Sequence, residues 1–156
     1  MTTFYKLTSQ SLTTHNDFPW TLGVPATATG EGDLCGPSWL HAYTDPLLAV
    51  LLNPIHANIK DPRLFRAEGT VGAEDHGLKV GCTTLTLVEE MPLPVITPTQ
   101  SVAFGVICAK EVCQDKGWIT WADRWLSGKD RTEKSARAAE AAAAAATAYR
   151  AAEAAA

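Results

Sequence analysis

The sequence is short of clustered positive charge, of long apolar runs and of closely spaced metal or nucleophile motifs, and each shortage removes a class of function. Thirteen Lys and Arg stand against seventeen Asp and Glu, for a formal charge of −4. Nucleic-acid binding of the ordinary kind relies on clustered cations that displace counterions from phosphates, so no nucleic-acid partner is expected. No stretch approaches the roughly 18 apolar residues that cross a bilayer, and Met-Thr-Thr-Phe-Tyr-Lys at the start lacks the apolar stretch of a secretory signal. The expectation is a soluble chain in a cytoplasm, with no membrane partner.

The four cysteines, Cys35, Cys82, Cys108 and Cys113, form no Cys-x-x-Cys pair, and the histidines form no His-x-x-x-His pair. Cys35, His41, His56 and Asp61 are metal-ligand types, yet no short spacing among them holds a preorganised zinc site. A chain of this size folds without disulfide staples, so free buried thiols are expected. Cys35-Gly36 has no identifiable catalytic partner, Ser38 has no nucleophile elbow around it, and there is no phosphate loop or dinucleotide fingerprint. Neither a metal nor a cofactor is expected.

What is present is a composition able to build a core, with 46% hydrophobic residues and five Trp. The fold class expected is α+β, a small mixed or antiparallel sheet packed with two to three helices. Thr3-Phe4-Tyr5-Lys6-Leu7-Thr8 has the aromatic and β-branched content of a first strand. Phe18 to Leu22 suits a short strand. Gly23, Pro25, Gly30, Gly32, Gly36 and Pro37 then mark a long loop. Trp39 to Tyr43 reads as a brief strand. Asp45-Pro46 opens a core helix, with an N-cap acceptor and Pro at the first position, and Pro54 is expected to end it near Asn53. Two alternating runs, Leu64 to Val71 and Leu78 to Val88, flank a turn and predict a hairpin.

Thr97-Pro98-Thr99-Gln100 has the form of a capping box for a helix running to about Cys113. Trp118, Trp121 and Trp125 recur at helical spacing and predict a short helix from Trp118 to Ser127. The globular domain is expected to span residues 1–129. From Asp130 onward, four basic and four acidic residues cancel, so the net charge belongs to that domain. Residues 130–156 predict an alanine-rich helical extension, with Asp130 as N-cap, Glu133 at the third position and a Glu133/Arg137 pair. Alanine alone sustains such a helix, whether solvated or paired with another helix through its small face.

Leu34-Cys35-Gly36-Pro37-Ser38-Trp39-Leu40-His41-Ala42-Tyr43, followed by Asp45-Pro46-Leu47-Leu48, resembles a family of phage and bacterial proteins. They join a Cys-Gly-x-x-x-Leu-His-Ala element to a Pro-initiated helix. Phe4-Tyr5-Lys6 and the stretch from Trp121 to Arg131 share in the likeness, and some members continue into Ala-rich tails. The resemblance implies phage or mobile-element origin and supplies no catalytic residues. The order of strand, long loop, strand, helix and paired strands is similar in outline to small ADP-ribosyltransferase-like folds, where strand and helix flank a nicotinamide cleft. That likeness implies Lys6, His41, Tyr43 and Thr44 nearest a nucleotide, with Glu68 or Glu89 as the acid. Lys6 stands where that family has Arg or His.

Two functions follow as expectations. The missing catalytic constellation, the acidic balance and the tail favour a phage- or mobile-element-encoded accessory protein that acts by non-catalytic protein–protein contact. Its partner would be a host protein or a second copy bound through the C-terminal helix, with Tyr149 and Arg150 as contacts. The rival is a small ADP-ribosyltransferase-like enzyme or nucleotide-binding protein using a cleft near His41, with His41, Tyr43 and Lys6 as its catalytic residues and His41, Tyr43 and Thr44 binding the ligand. His41 stands at a strand end, where a histidine can orient a ligand or move a proton. His15 and His76 sit among polar and Gly residues and read as solvated.

Overall fold

The computed structural model describes residues 3–138. Its contacts divide the chain into two compact units, one running to Ile96 and one from Thr97 onward.

The N-terminal unit is an antiparallel sheet with one helix. Its strands are β1 (Thr3–Thr8), β2 (Ala26–Thr27), β3 (Leu40–Ala42), β4 (Arg63–Asp75) and β5 (Lys79–Met91). The order is β1-β4-β5-β2, and β3 also pairs with β5. The last two strands make the expected hairpin. Its turn uses His76 and Gly77 at positive φ, and Leu78 N–H donates to the Asp75 carbonyl at 2.7 Å. Register shifts at Arg66/Ala67, Thr70/Val71 and Val71/Ala73 leave Val88 and Thr83 of β5 and Gly72 of β4 as extra residues and bend the hairpin, because each extra residue kinks its strand and raises the twist. The bend lets one long hairpin serve three partners, β1 along the first half of β4, and β3 and then β2 along β5.

Tyr5 and Tyr43 exchange both backbone hydrogen bonds, at 2.8 and 2.9 Å, and so join the end of β3 to β1. The sheet thereby closes on itself as a small barrel. Phe4, Leu40, Ala42, Phe65, Ala67, Val80, Cys82, Leu85, Leu87 and Trp20 fill the interior. Each large apolar side chain buried there contributes roughly 1.5–3 kcal/mol. On the opposite face of β1, Leu7 is buried with its cross-strand partner Leu64.

The helix α1 (Pro46–His56) contacts β1 and buries Ala49 and Leu52. Asp45 caps it as expected, accepting from Leu47 N–H at 2.7 Å. It does not stop at Asn53. Pro54 lies inside the last turn, where the N–H it lacks leaves only one ladder bond unmade, and Ala57 N–H closes the end on the Asn53 carbonyl at 3.1 Å. The strand expected from Phe18 to Leu22 is likewise absent. Pro19 removes a ladder donor there, and the segment keeps only an isolated bridge between Thr13 and Pro19 beside a 3-10 turn at His15–Asp17.

In the C-terminal unit, α2 (Pro98–Val112) contacts α3 (Lys116–Leu126). The capping box is complete: Thr97 Oγ1 accepts from Gln100 N–H at 3.2 Å, and Gln100 Oε1 accepts from Thr97 N–H at 2.9 Å. Thr97→Ala is expected to cost about 1 kcal/mol, read as a lower urea midpoint at unchanged m value. In α3, Asp115 caps by accepting from Trp118 N–H, and Trp125 is buried beneath the Arg131 guanidinium, 4.8 Å from its ring centroid.

The next helix is capped by Thr132, not Asp130. Ser135 N–H donates to Thr132 Oγ1 at 3.3 Å, while the Asp130 carboxylate accepts from Thr132 and Ser135 and is held by those bonds below the usual carboxylate range. Residues 133–138 are helical, with Arg137 paired to Glu133. The remainder of the alanine-rich segment, with Tyr149 and Arg150, lies outside the described residues. No helix among the described residues is long and apolar enough to cross a membrane.

Candidate functional site

The site begins with a lysine inside the barrel. Alternation along β1 puts Phe4, Lys6 and Thr8 on one face, all buried, and the cross-strand partner of Lys6 is Phe65. Lys6 is only 9% exposed, and its Nζ donates to the His41 carbonyl at 2.6 Å while lying 5.2 Å from the centroid of the Trp20 ring. Burial pushes its amine down from 10.5 to about 8, and the neighbouring Cys82 acts weakly the other way. Burial also pushes the Cys82 thiol up to about 11.

A second lysine opens β5. Lys79 is 7% exposed and stands across the hairpin from Asp75, yet its Nζ donates to Cys35 Sγ at 3.1 Å. Neither Lys6 nor Lys79 forms a salt bridge among the described residues. Transferring an ammonium out of water without a counter-ion costs several kcal/mol, so two such groups in one small unit call for an explanation.

His41 lies between them. Its carbonyl takes the Lys6 bond, and its ring Nε2 bonds to the Leu34 carbonyl. A carbonyl can only accept, so Nε2 carries the hydrogen and Nδ1 is the acceptor of the neutral ring. Burial, joined by the charges of Lys6 and Lys79, holds the imidazole below the usual histidine range against the Leu34 bond. Beyond β3, the Tyr43 hydroxyl meets His56 Nδ1 at 3.0 Å, and the two rings stack 6.0 Å apart at 11°. Burial pushes the phenol up to about 12, so it stays protonated and donates to Nδ1. Burial and the charge of Lys79 lower His56, and Asp75 opposes them.

These groups line one open cleft of about 990 Å³, with Lys6, His15, Cys35, His41, Tyr43, His56 and Lys79 as its polar members that carry or can carry charge. Phe18, Trp20 and Trp39 are its aromatic members, and among the described residues no Asp or Glu lines it. No family model, no curated protein and no solved structure matches the chain. The cleft must therefore be understood from its own residues.

Of the residues singled out from the sequence, Lys6, Cys35, His41, Tyr43 and His56 meet here, and Asp61 does not. Thr44 does not line the cleft; its Oγ1 donates to the Gly77 carbonyl at 3.0 Å. Glu68 and Glu89 both bind Arg66, at 2.7 and 3.0 Å, and neither lines the cleft. Among the described residues no three His, Cys, Asp or Glu side chains gather as a metal site. Lys79 is the member that the sequence did not suggest. All four residues from Lys79 to Cys82 are buried, whereas an alternating run places every second one outward. His56 arrives because α1 continues past Pro54, and Cys35 because the Gly/Pro loop folds onto the cleft, held by Gly30 N–H to Ser38 O at 2.9 Å.

Proposed function

We propose that the N-terminal unit is a non-catalytic receptor for a small organic anion of the nucleotide class, bound in the cleft beside His41. The observation that carries this reading is the pair of buried lysines lining a cleft that has no carboxylate in its wall among the described residues. A bound phosphate would supply the counter-ion both lysines lack, through charge-assisted hydrogen bonds. The partly exposed ring of Phe18 in the cleft wall suits a flat base. With Glu68 and Glu89 both held by Arg66, the cleft lacks the acid that ribosyl transfer would use, which favours binding over transfer.

Calorimetric titration with AMP and ADP tests the proposal. Saturable binding that weakens with added salt is expected, and Lys79→Met should weaken it by about tenfold or more, the worth of one charge-assisted bond. If AMP, ADP and inorganic phosphate all fail to bind in the millimolar range, the reading is wrong.

A further inference from the structure

Resting on the reading of the cleft as an anion receptor, we infer that Lys6 is a nucleophile that captures a carbonyl-bearing anion as an imine, with Lys79 holding the anionic group. Three features of the site support it. Lys6 is among the residues that line the cleft, so a ligand held there lies beside it, and the side chain is nine-tenths buried, so its amine is poorly solvated. Among the described residues its one hydrogen-bond acceptor is a backbone carbonyl, a neutral group, so no carboxylate holds the proton on the nitrogen. The His41 carbonyl and the Trp20 ring that face the ammonium would equally face the cationic, protonated imine.

The chemistry balances without an oxidant. The ammonium first gives a proton to solvent. The nitrogen lone pair then forms a C–N bond to the carbonyl carbon, the C=O π electrons move to oxygen, and that oxygen takes a proton. The nitrogen gives up one proton to form the neutral carbinolamine, a second proton on the oxygen lets the C–O bond break and water leave as the nitrogen lone pair closes the C=N bond, and loss of the last N–H proton gives the imine, so amine plus aldehyde gives imine plus water. A desolvated lysine is a recognised means of making an amine available for this step near neutral pH. With its amine at about 8, Lys6 has at pH 7 on the order of a hundred times the free-base fraction of an ordinary exposed lysine. Lower intrinsic nucleophilicity offsets part of that gain, and a net preference of at least about tenfold is expected.

The test uses the whole chain with glyoxylate, a small anionic aldehyde, and sodium cyanoborohydride, followed by digestion and mass spectrometry. Lys6 should acquire a carboxymethyl group at least about tenfold faster than Lys60, Lys110, Lys116 or Lys129, at a rate that climbs as pH rises through about 8. AMP should protect it. Lys79→Met should keep labelling at Lys6 but require more glyoxylate, and Lys6→Met should abolish it. Labelling of exposed lysines as fast as Lys6 overturns the inference. So does no labelling at Lys6 in a chain that binds AMP or phosphate, which leaves the receptor reading intact. Failure of both labelling and anion binding removes both.

Discussion

Lys6→Met is expected to make the protein more stable, by on the order of 3 kcal/mol at pH 7. Methionine keeps the length of the side chain and places a thioether among Phe65, Trp20 and Cys82, where the ammonium now lies without an anion. The magnitude follows from the displacement of the amine from 10.5 to about 8, at about 1.4 kcal/mol per pH unit. Because folding lowers this value, the unfolded chain binds the proton more tightly, and the penalty is full below pH 8 and relieved as pH rises toward 10.5. The gap between Lys6→Met and the parent should therefore narrow by about 1 kcal/mol between pH 7 and 9. That range avoids most of the opposing contribution of Cys82, whose thiol is 9.0 by default and about 11 when folded, and which weakens the fold as pH rises between those values. Urea unfolding of the two proteins at several pH values gives the comparison directly. A variant less stable than the parent at pH 7 would show that the Lys6–His41 bond outweighs the desolvation. A natural chain that keeps so costly a residue in its barrel points to use of the residue, since sites for function are where stability is commonly given up.

Gly69→Ala should act in the opposite direction and cost about 3 kcal/mol or more, at the upper end of overpacking effects. Gly69 follows the last residue of β4 that pairs with β1, and it faces Leu85 on β5, where the sheet turns its corner. A Cβ at this position would lie 2.2 Å from the Thr84 carbonyl oxygen and 3.2 Å from Leu85 Cα, both backbone atoms that no rotamer change can move. Relief requires β4 and β5 to separate at the bend, with loss of ladder bonds. Thermal unfolding and amide exchange across 63–91 measure the damage. Unchanged melting would mean that the strands approach less closely there.

Much of the scaffold was legible in the sequence because its signals are local. Thr97 with Gln100, Asp45 with Pro46, and the two alternating runs around His76-Gly77 each specify an element within a few residues, and each element is found. The site was legible only in part, because its assembly is not local. In Thr3–Thr8 the two faces, Phe4/Lys6/Thr8 and Tyr5/Leu7, are about equally apolar. Which one points inward depends on a ring closed by Tyr43, 38 positions after Tyr5. Lys79 looks like a turn-flanking cation until β3 and the loop carrying Cys35 cover it. His56 was hidden by the ordinary rule that proline ends a helix, which fails when the proline falls in the final turn.

The bridge between Tyr5 and Tyr43 also sets a timetable. As the chain leaves the ribosome, its first strand has no full partner until residues 63–68 have emerged, and the ring lacks a wall until residue 91. At about 5–20 residues per second that is a wait of several seconds, during which Phe4 and Leu7 stand bare and Lys6 keeps its water. The charge is stripped of that water only when the last staves meet. Its penalty therefore falls on the closing step, and the lysine that readies the cleft also slows its making.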